Sequence, residues 1–327
     1  MIAKLQRILF AIAAGLIAVD LAWGWIGHFQ VDVAAYIRLG VLAMALAGGA
    51  TFYHVRRAEP AIVAMLAGTG FLCAFSAAAS LLNYFLLTWH GQRIDAALAA
   101  ADRALGFDWM GAMTLMAAHH RLNGLLFLSY NIVLPEIALI VAILGWSGNA
   151  EKIYRFCLAV ALGALVCIFV WALAPSFGAM SVYDLPPAVS RAVTVSVDRA
   201  YGNALLAMLQ GGPGFISPAD IRGLIGFPSY HGALALIVAY YGWRVRGLRW
   251  PLLALNAIVL ISTPVQGGHH LVDVLASFPV AALALFLSSL RENANCSAKV
   301  SGVVNKSSKW KVTPGAARRF SAAPAKD

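Results

Sequence analysis

Charge is what this chain has least of. Lys, Arg, Asp and Glu make up 12% of its 327 residues, while 61% are apolar, and the mean hydropathy is +0.77. A water-soluble domain of this length needs charge over its surface, so the bilayer must be the solvent for much of the chain. Cysteine is scarce as well. Cys73, Cys157, Cys167 and Cys296 include no pair at metal-ligand spacing, so neither a zinc site nor a disulfide framework is implied. Acidic residues are outnumbered 14 to 24 by Lys and Arg, for a net charge of +10. No basic patch is interleaved with aromatics. The excess therefore reads as the positive loops of a membrane protein, and no nucleic-acid partner is expected.

What is present is a series of long apolar runs. A helical crossing needs about 20 such residues. Eight stretches qualify or nearly do: roughly Ile8–Ile26, Tyr36–His54, Ala61–Trp89, Asn123–Trp146, Tyr154–Ala174, His231–Trp243, Trp250–Val265 and Leu271–Leu290. The sixth and seventh are short. Lys4 and Arg7 before the first run resemble a signal-peptide start, but Asp20 interrupts the run and no small-x-small cleavage site follows. An uncleaved first helix is expected. The fold class is thus all-α, a polytopic membrane helix bundle of about eight transmembrane helices with added interfacial helices.

Loop charges give an independent count. Lys4, Arg7, Arg56, Arg57, Lys152, Arg155, Arg244, Arg246, Arg249 and Arg291 all fall on one side if there are eight crossings. The positive-inside rule makes that side cytoplasmic, with both termini inside. The opposite loops mix signs, with Arg93, Asp95, Asp102, Arg103 and Asp108 in one and Asp184, Arg191, Asp198, Arg199, Asp220 and Arg222 in the other. In His90–Leu122, residues Ile94, Leu98, Ala101, Leu105 and Trp109 have helical spacing and predict an amphipathic helix in the interface. In Pro175–Pro228 an apolar helical piece is expected around Val193–Leu209. Together these loops roof a pocket. The tail after Arg291, with Lys299, Lys306, Lys309, Lys311, Arg318 and Arg319, reads as disordered and drawn to anionic lipid.

Two stretches carry chemistry. They are Gly226-Phe227-Pro228-Ser229-Tyr230-His231-Gly232 and Gly267-Gly268-His269-His270-Leu271-Val272-Asp273, each where a polar turn enters an apolar run. Two crossings separate His231 from His269, so both return to the outer face. His269 and Asp273 are four apart and share a helix face. A carboxylate there fixes one ring nitrogen and leaves the other as a nucleophile. His270, at a spacing of three, is the alternative nucleophile, though support of the turn suits it better. The start of a helix offers free N–H groups to a phosphate, and Gly267 and Gly268 let backbone approach closely. A protonated His231 could donate to a leaving oxygen, while Ser229 and the amides near Gly232 could bind a non-bridging oxygen. This inventory suits phosphoryl transfer at the headgroup level and calls for no metal or organic cofactor.

Other polar residues carry weaker signals. His28, His54 and His90 read as ordinary interfacial histidines, and Trp89, Trp146, Trp243 and Trp250 as interface belts. His119, His120 and Arg121 form an outer cluster that fits an anchor better than a substrate contact. Intramembrane Glu136, beside Pro135, is a functional candidate by default; a structural hydrogen bond to Asn83 or Tyr84 is an equal alternative.

At the two motifs the chain resembles the membrane-bound type 2 phosphatidic acid phosphatase superfamily, and within it the branch that includes inositol phosphorylceramide synthases. The Pro-Ser-x-His signature is Pro228-Ser229-Tyr230-His231, and the His-x-x-x-Asp signature runs from His269 to Asp273. Asp95–Trp109, with Asp102 and Leu105-Gly106-Phe107-Asp108-Trp109, and Pro175–Gly178 also look like that branch. The resemblance implies that His269 is the nucleophile, that Asp273 orients it and that His231 is the acid. It implies a six-helix catalytic membrane domain over residues 60–290, preceded by two transmembrane helices in 1–59 and followed by a basic cytoplasmic tail in 291–327. The phosphatases' Lys and Arg-Pro signature is missing, and the Arg six residues before the nucleophile is replaced by Thr263, preceded by Ser262. Fewer cations suit a monoanionic phosphodiester. The expected partners are therefore lipid substrates in a bacterial inner membrane, worked on from its non-cytoplasmic face, with Gly268, His270, Arg222 and Arg121 as further substrate contacts.

Overall fold

The computed structural model describes residues 1–89 and 91–307; His90 and the tail from 308 to 327 lie outside the described residues. The chain starts with α1 (Ile2–Ile26), the short strand β1 (Gln30–Val31), α2 (Val33–Arg56) and α3 (Pro60–Phe85). The breaks fall at residues that stop or start helices. Asp32 accepts the Ala35 N–H at 3.0 Å and caps α2, and Pro60 opens α3. Next come α4 (Asp95–Ala104), α5 (Trp109–Ala118), α6 (His120–Asn131), α7 (Val133–Trp146) and α8 (Ala150–Leu173). Then follow α9 (Pro187–Ala192), α10 (Arg199–Gly211), β2 (Phe215–Ile216), α11 (Tyr230–Trp243), α12 (Arg249–Gln266) and α13 (Leu271–Ser307). Met1–Ser288 form one compact unit.

Five helical segments are long and apolar enough to cross a membrane: α1, α2, α3 with its extension to Trp89, α8, and Leu271–Leu290 of α13. The pair α6–α7 makes a sixth, bent by 51°. The bend has a cause, since Pro135 has no N–H to give the carbonyl four residues back, at Asn131. The remaining two stretches became α11 and α12, with 14 and 18 residues. At 1.5 Å per residue these span about 21 and 27 Å, short of the roughly 30 Å hydrocarbon core. The α12 helix ends, and the α11 helix begins, at the pocket described below.

The α8 helix is the axis. In its apolar stretch 67% of residues are buried, against 11% in α1. The α1, α3, α7 and α11 helices pack on it, and α12 packs on α6 and α11. On α1 and α2, side chains such as Phe10, Leu21, Met44 and Val55 are exposed and face lipid. Lipid tails are as apolar as Leu, so close packing must come from small residues. Gly68 of α3 shows this: a Cβ there would lie 2.9 Å from Cγ2 of Ile153 and 3.2 Å from Sγ of Cys157 on α8.

The structure departs from the sequence reading in three places, two in the loops and one within the bundle. The stripe from Ile94 to Trp109 is not one amphipathic helix. It breaks at Gly106 (φ +78°) into α4 and α5. Leu105 is exposed, whereas Trp109 is buried to 1% and donates its indole N–H to the Pro264 carbonyl at 3.0 Å. The inward face of α4 carries Asp95 and Asp102 beside Leu98. In the second loop the helix starts only at Arg199, capped by Asp198, because the Ser196 and Val197 amides are drawn to the Gln266 carbonyl. Finally, Glu136 pairs with neither Asn83 nor Tyr84. Its Oε1 accepts from Nδ2 of Asn256 at 3.2 Å, while the Tyr84 hydroxyl accepts the Arg222 N–H. The β1 and β2 strands run parallel, Gln30 beside Phe215 and Val31 beside Ile216, and fasten the α1–α2 connection to that second loop.

Replacing Gly68 by Leu is expected to force α3 from α8 and to cost about 1–3 kcal/mol. A lowered unfolding temperature in detergent would show it, and an unchanged one would mean that the contact is not limiting.

Candidate active site

The α11 and α12 helices pack against each other, so the start of one and the end of the other meet at one end of the bundle. The Ser229 N–H donates to the Asp273 carbonyl at 3.0 Å and ties the two motifs together. The hydroxyl of Ser229 accepts the Gly232 N–H at 3.2 Å, which caps α11, and lies 3.4 Å from Nε2 of His269. On its other side, Nδ1 of His269 is 3.2 Å from Oδ2 of Asp273. Oδ2 acts here as an acceptor, so Nδ1 holds the proton and the lone pair stays on Nε2. The same Oδ2 accepts the His270 backbone N–H at 2.9 Å, which holds the carboxylate in place. The His231 ring lies flat on Tyr130 of α6, with centroids 4.2 Å apart and planes within 6°.

His231 and His269 both line a cavity of about 330 Å³. Tyr130, Tyr201, Phe177, Gly178 and Asn83 also contribute to its wall, and no Lys, Arg, Asp or Glu does among the described residues.

Two buried carboxylates on α4 frame this cavity from behind. Asp102 accepts the N–H groups of Leu271 and Val272, each at 3.0 Å, and approaches Nδ1 of His270 at 3.2 Å. The amides at the start of α13 are therefore taken by a side chain of the protein. The expectation that they stand free for phosphate is corrected. Asp95, seven residues earlier on the same face, accepts from the Ser176 hydroxyl (2.9 Å) and from the amides of Phe177 (2.8 Å) and Gly178 (2.9 Å), and pairs with Arg93 at 2.7 Å. The two held segments touch, as the Ala179 N–H donates to the Gly268 carbonyl at 2.6 Å. Gly178 has φ +80°, and a Cβ there would collide with that carbonyl.

The structure brings together His231, His269, Asp273 and Ser229, and sets the other candidates apart. Gly232 spends its N–H on Ser229 and packs on Ser277. Gly268 (φ +64°) serves the crossing with Gly178. His270 is fully buried behind the wall, between Asp102 and Asp95. Neither Arg222 nor Arg121 is a wall residue. The Arg222 guanidinium stacks over the Tyr201 ring, 5.3 Å from its centroid, and Arg121 is exposed on α6. Ser262 and Thr263, at the position of the missing Arg, turn their hydroxyls back to the Val259 carbonyl. Sequence reasoning missed Tyr130, the bracing role of Asp95 and Asp102, and the cavity position of Asn83. The i, i+7 spacing of the aspartates was a visible signal that they share a face; their partners were not visible.

Burial pushes the His269 imidazole down to about 4, and the nearby Gly226 backbone, which favours the protonated ring, opposes this. The free base then persists well below the ordinary imidazole value of about 6.5. The acid limb of kcat/KM is expected below pH 6.5, and a limb at or above that value would mean a solvated ring. A second expectation concerns Gly178→Ala. It should lower both stability, by about 2 kcal/mol or more, and turnover, because strain and a clash meet at one atom; thermal unfolding and an activity assay on the same sample check it.

A family model described as PAP2 superfamily matches residues 96–287. No curated protein and no solved structure matches the chain. The matched span runs from α4 into α13 and contains both histidine motifs. It covers more than half of the sequence, and the chain therefore belongs to the PAP2 superfamily, as a membrane protein of the lipid phosphatase or phosphotransferase kind.

Proposed function

We propose that the protein moves a phosphoryl-linked headgroup from a phosphodiester lipid to a lipid alcohol through a phosphohistidine. The observation that carries this reading is the cavity wall, where two histidines stand without a single Lys or Arg among the described residues. A phosphomonoester brings nearly two negative charges and a diester one. An uncharged wall favours the diester, as does the likeness to the synthase branch. Nε2 of His269 attacks phosphorus. The bond from phosphorus to the leaving oxygen breaks, and His231 gives that oxygen a proton. In the second half the acceptor hydroxyl loses its proton to His231 and attacks phosphorus, and the P–N bond breaks. Asp273 holds the tautomer throughout. The loop charges support a site on the non-cytoplasmic face with both termini in the cytoplasm. The related reading, hydrolysis of a lipid phosphate, uses the same groups with water in the second half.

Purified protein would be given dioleoylphosphatidylglycerol or dioleoylphosphatidic acid, each with and without didecanoylglycerol, whose chains distinguish the product from the donor. The expected product is didecanoylphosphatidylglycerol, formed from the diester with release of dioleoylglycerol. Release of inorganic phosphate from the monoester, with the diester untouched, overturns the transferase reading in favour of hydrolysis. His269→Ala should leave no turnover and no acid-labile phosphoenzyme. His231→Ala should lower kcat by roughly 10²–10⁴-fold.

A further inference from the structure

One polar side chain in the cavity wall has no role in the chemistry above. Asn83 lies near the end of α3, outside the span matched by the family model. It is 6% exposed, and its Oδ1 is fully buried without a hydrogen-bond partner among the described residues. Three other polar contacts of the wall are made within the protein. Nδ2 of Asn131 donates to the Ser196 hydroxyl at 2.7 Å, the Tyr201 hydroxyl to the Gly223 carbonyl at 2.7 Å and the Tyr230 hydroxyl to the Val160 carbonyl at 3.2 Å. Glu136, the nearest sequence candidate for a partner, is bonded to Asn256 instead. A buried amide oxygen left unpaired is destabilising by about 1–3 kcal/mol. Its persistence beside the two histidines points to something that fills it in the working state.

The chemistry of the amide narrows what that is. A carboxamide offers an acceptor oxygen next to a donor nitrogen. A phosphate oxygen in its ionised ester has no proton to give Oδ1, and an apolar acyl chain offers nothing. A hydroxyl both gives and takes a hydrogen bond. We infer that Asn83 is a specificity residue that binds a hydroxyl of the acceptor alcohol and so favours transfer to the alcohol over transfer to water. The inference rests on the transferase reading. It adds that α3, which the family match does not include, supplies the acceptor side of the cavity, while α11 and the α12–α13 turn supply the chemistry.

The test uses the full chain in lipid nanodiscs, with dioleoylphosphatidylglycerol as donor and didecanoylglycerol as acceptor, so that the product differs from the donor. It counts headgroup transferred against headgroup released to water. Asn83→Leu, close in volume but unable to hydrogen-bond, is expected to lower the ratio of transfer to hydrolysis about tenfold and to raise the KM for didecanoylglycerol. Asn83→Ser, which keeps a donor and an acceptor, should retain most of the ratio. An unchanged ratio and KM in Asn83→Leu would mean that only water or packing occupies this place, and equal loss of transfer and hydrolysis would mean a general role; either overturns the inference. If Asn83→Leu does not fold, Asn83→Ala read by the same ratio decides. Wild-type protein that turns the donor over without ever using didecanoylglycerol or another diacylglycerol of different chain length would defeat the parent reading, a result distinct from an altered or unaltered ratio in the variants.

Discussion

Two aspartates on one face of a ten-residue helix hold the catalytic end of this bundle together. Burying a carboxylate in a membrane protein costs several kcal/mol unless hydrogen bonds replace its water. Asp95 and Asp102 are both almost fully buried and both well supplied. Asp95 gathers a hydroxyl, two backbone amides and Arg93, and Asp102 gathers the first two amides of α13 and the His270 ring. Each bond fixes a different segment. The loop at 176–178 is held by one carboxylate and the α12–α13 turn by the other, and the two segments meet where Ala179 donates to the Gly268 carbonyl. The placement of His269 follows from that meeting.

The arrangement gives the site an unusual balance. Negative charge is concentrated behind the wall and answered there by Arg93 and by backbone donors, while the wall itself carries imidazole, phenol, amide and apolar groups. Such a surface gives a free-base nucleophile a dry place to stand. Burial lowers the basicity of His269, and the Asp273 carboxylate keeps its proton on the far nitrogen. Tyr130 sets the plane of His231 by stacking, a device that needs no charge.

The N-terminal helices are more than a lipid-facing jacket. The α1 and α2 helices leave large apolar side chains exposed to the bilayer, yet their connection is paired with the second loop through β1 and β2, and Ser217 donates to Asp32 at 3.0 Å. The α3 helix joins the axis helix α8 by glycine-mediated contact and ends with Asn83 in the cavity wall. Deeper in the bundle, Glu136 and Asn256 link α7 to α12 across the bend at Pro135. Polar groups in this molecule are few, and they sit where segments that are distant in sequence have to be held in register.

By itself the sequence determined the solvent, the helical class and the two motifs. Those are local matters: apolar runs of bilayer length, a serine before a helix start, and a histidine and an aspartate four apart follow from composition and helical spacing. It also held the side-by-side return of His231 and His269, because two successive apolar runs, one away and one back, lie between them. It showed that the sixth and seventh runs, now α11 and α12, are short, but not which residues wall the pocket where they end, since residue count and hydropathy carry no information on tertiary neighbours. Nor could it assign the partners of Asp95, Asp102, His270, Glu136 or Asn83. Glu136 chose Asn256, 120 residues away, and Asp102 took the α13 amides that local reasoning had left open for phosphate. A buried polar group must find its partner wherever packing brings one, and only the tertiary structure decides which chain segments arrive within 3 Å of it.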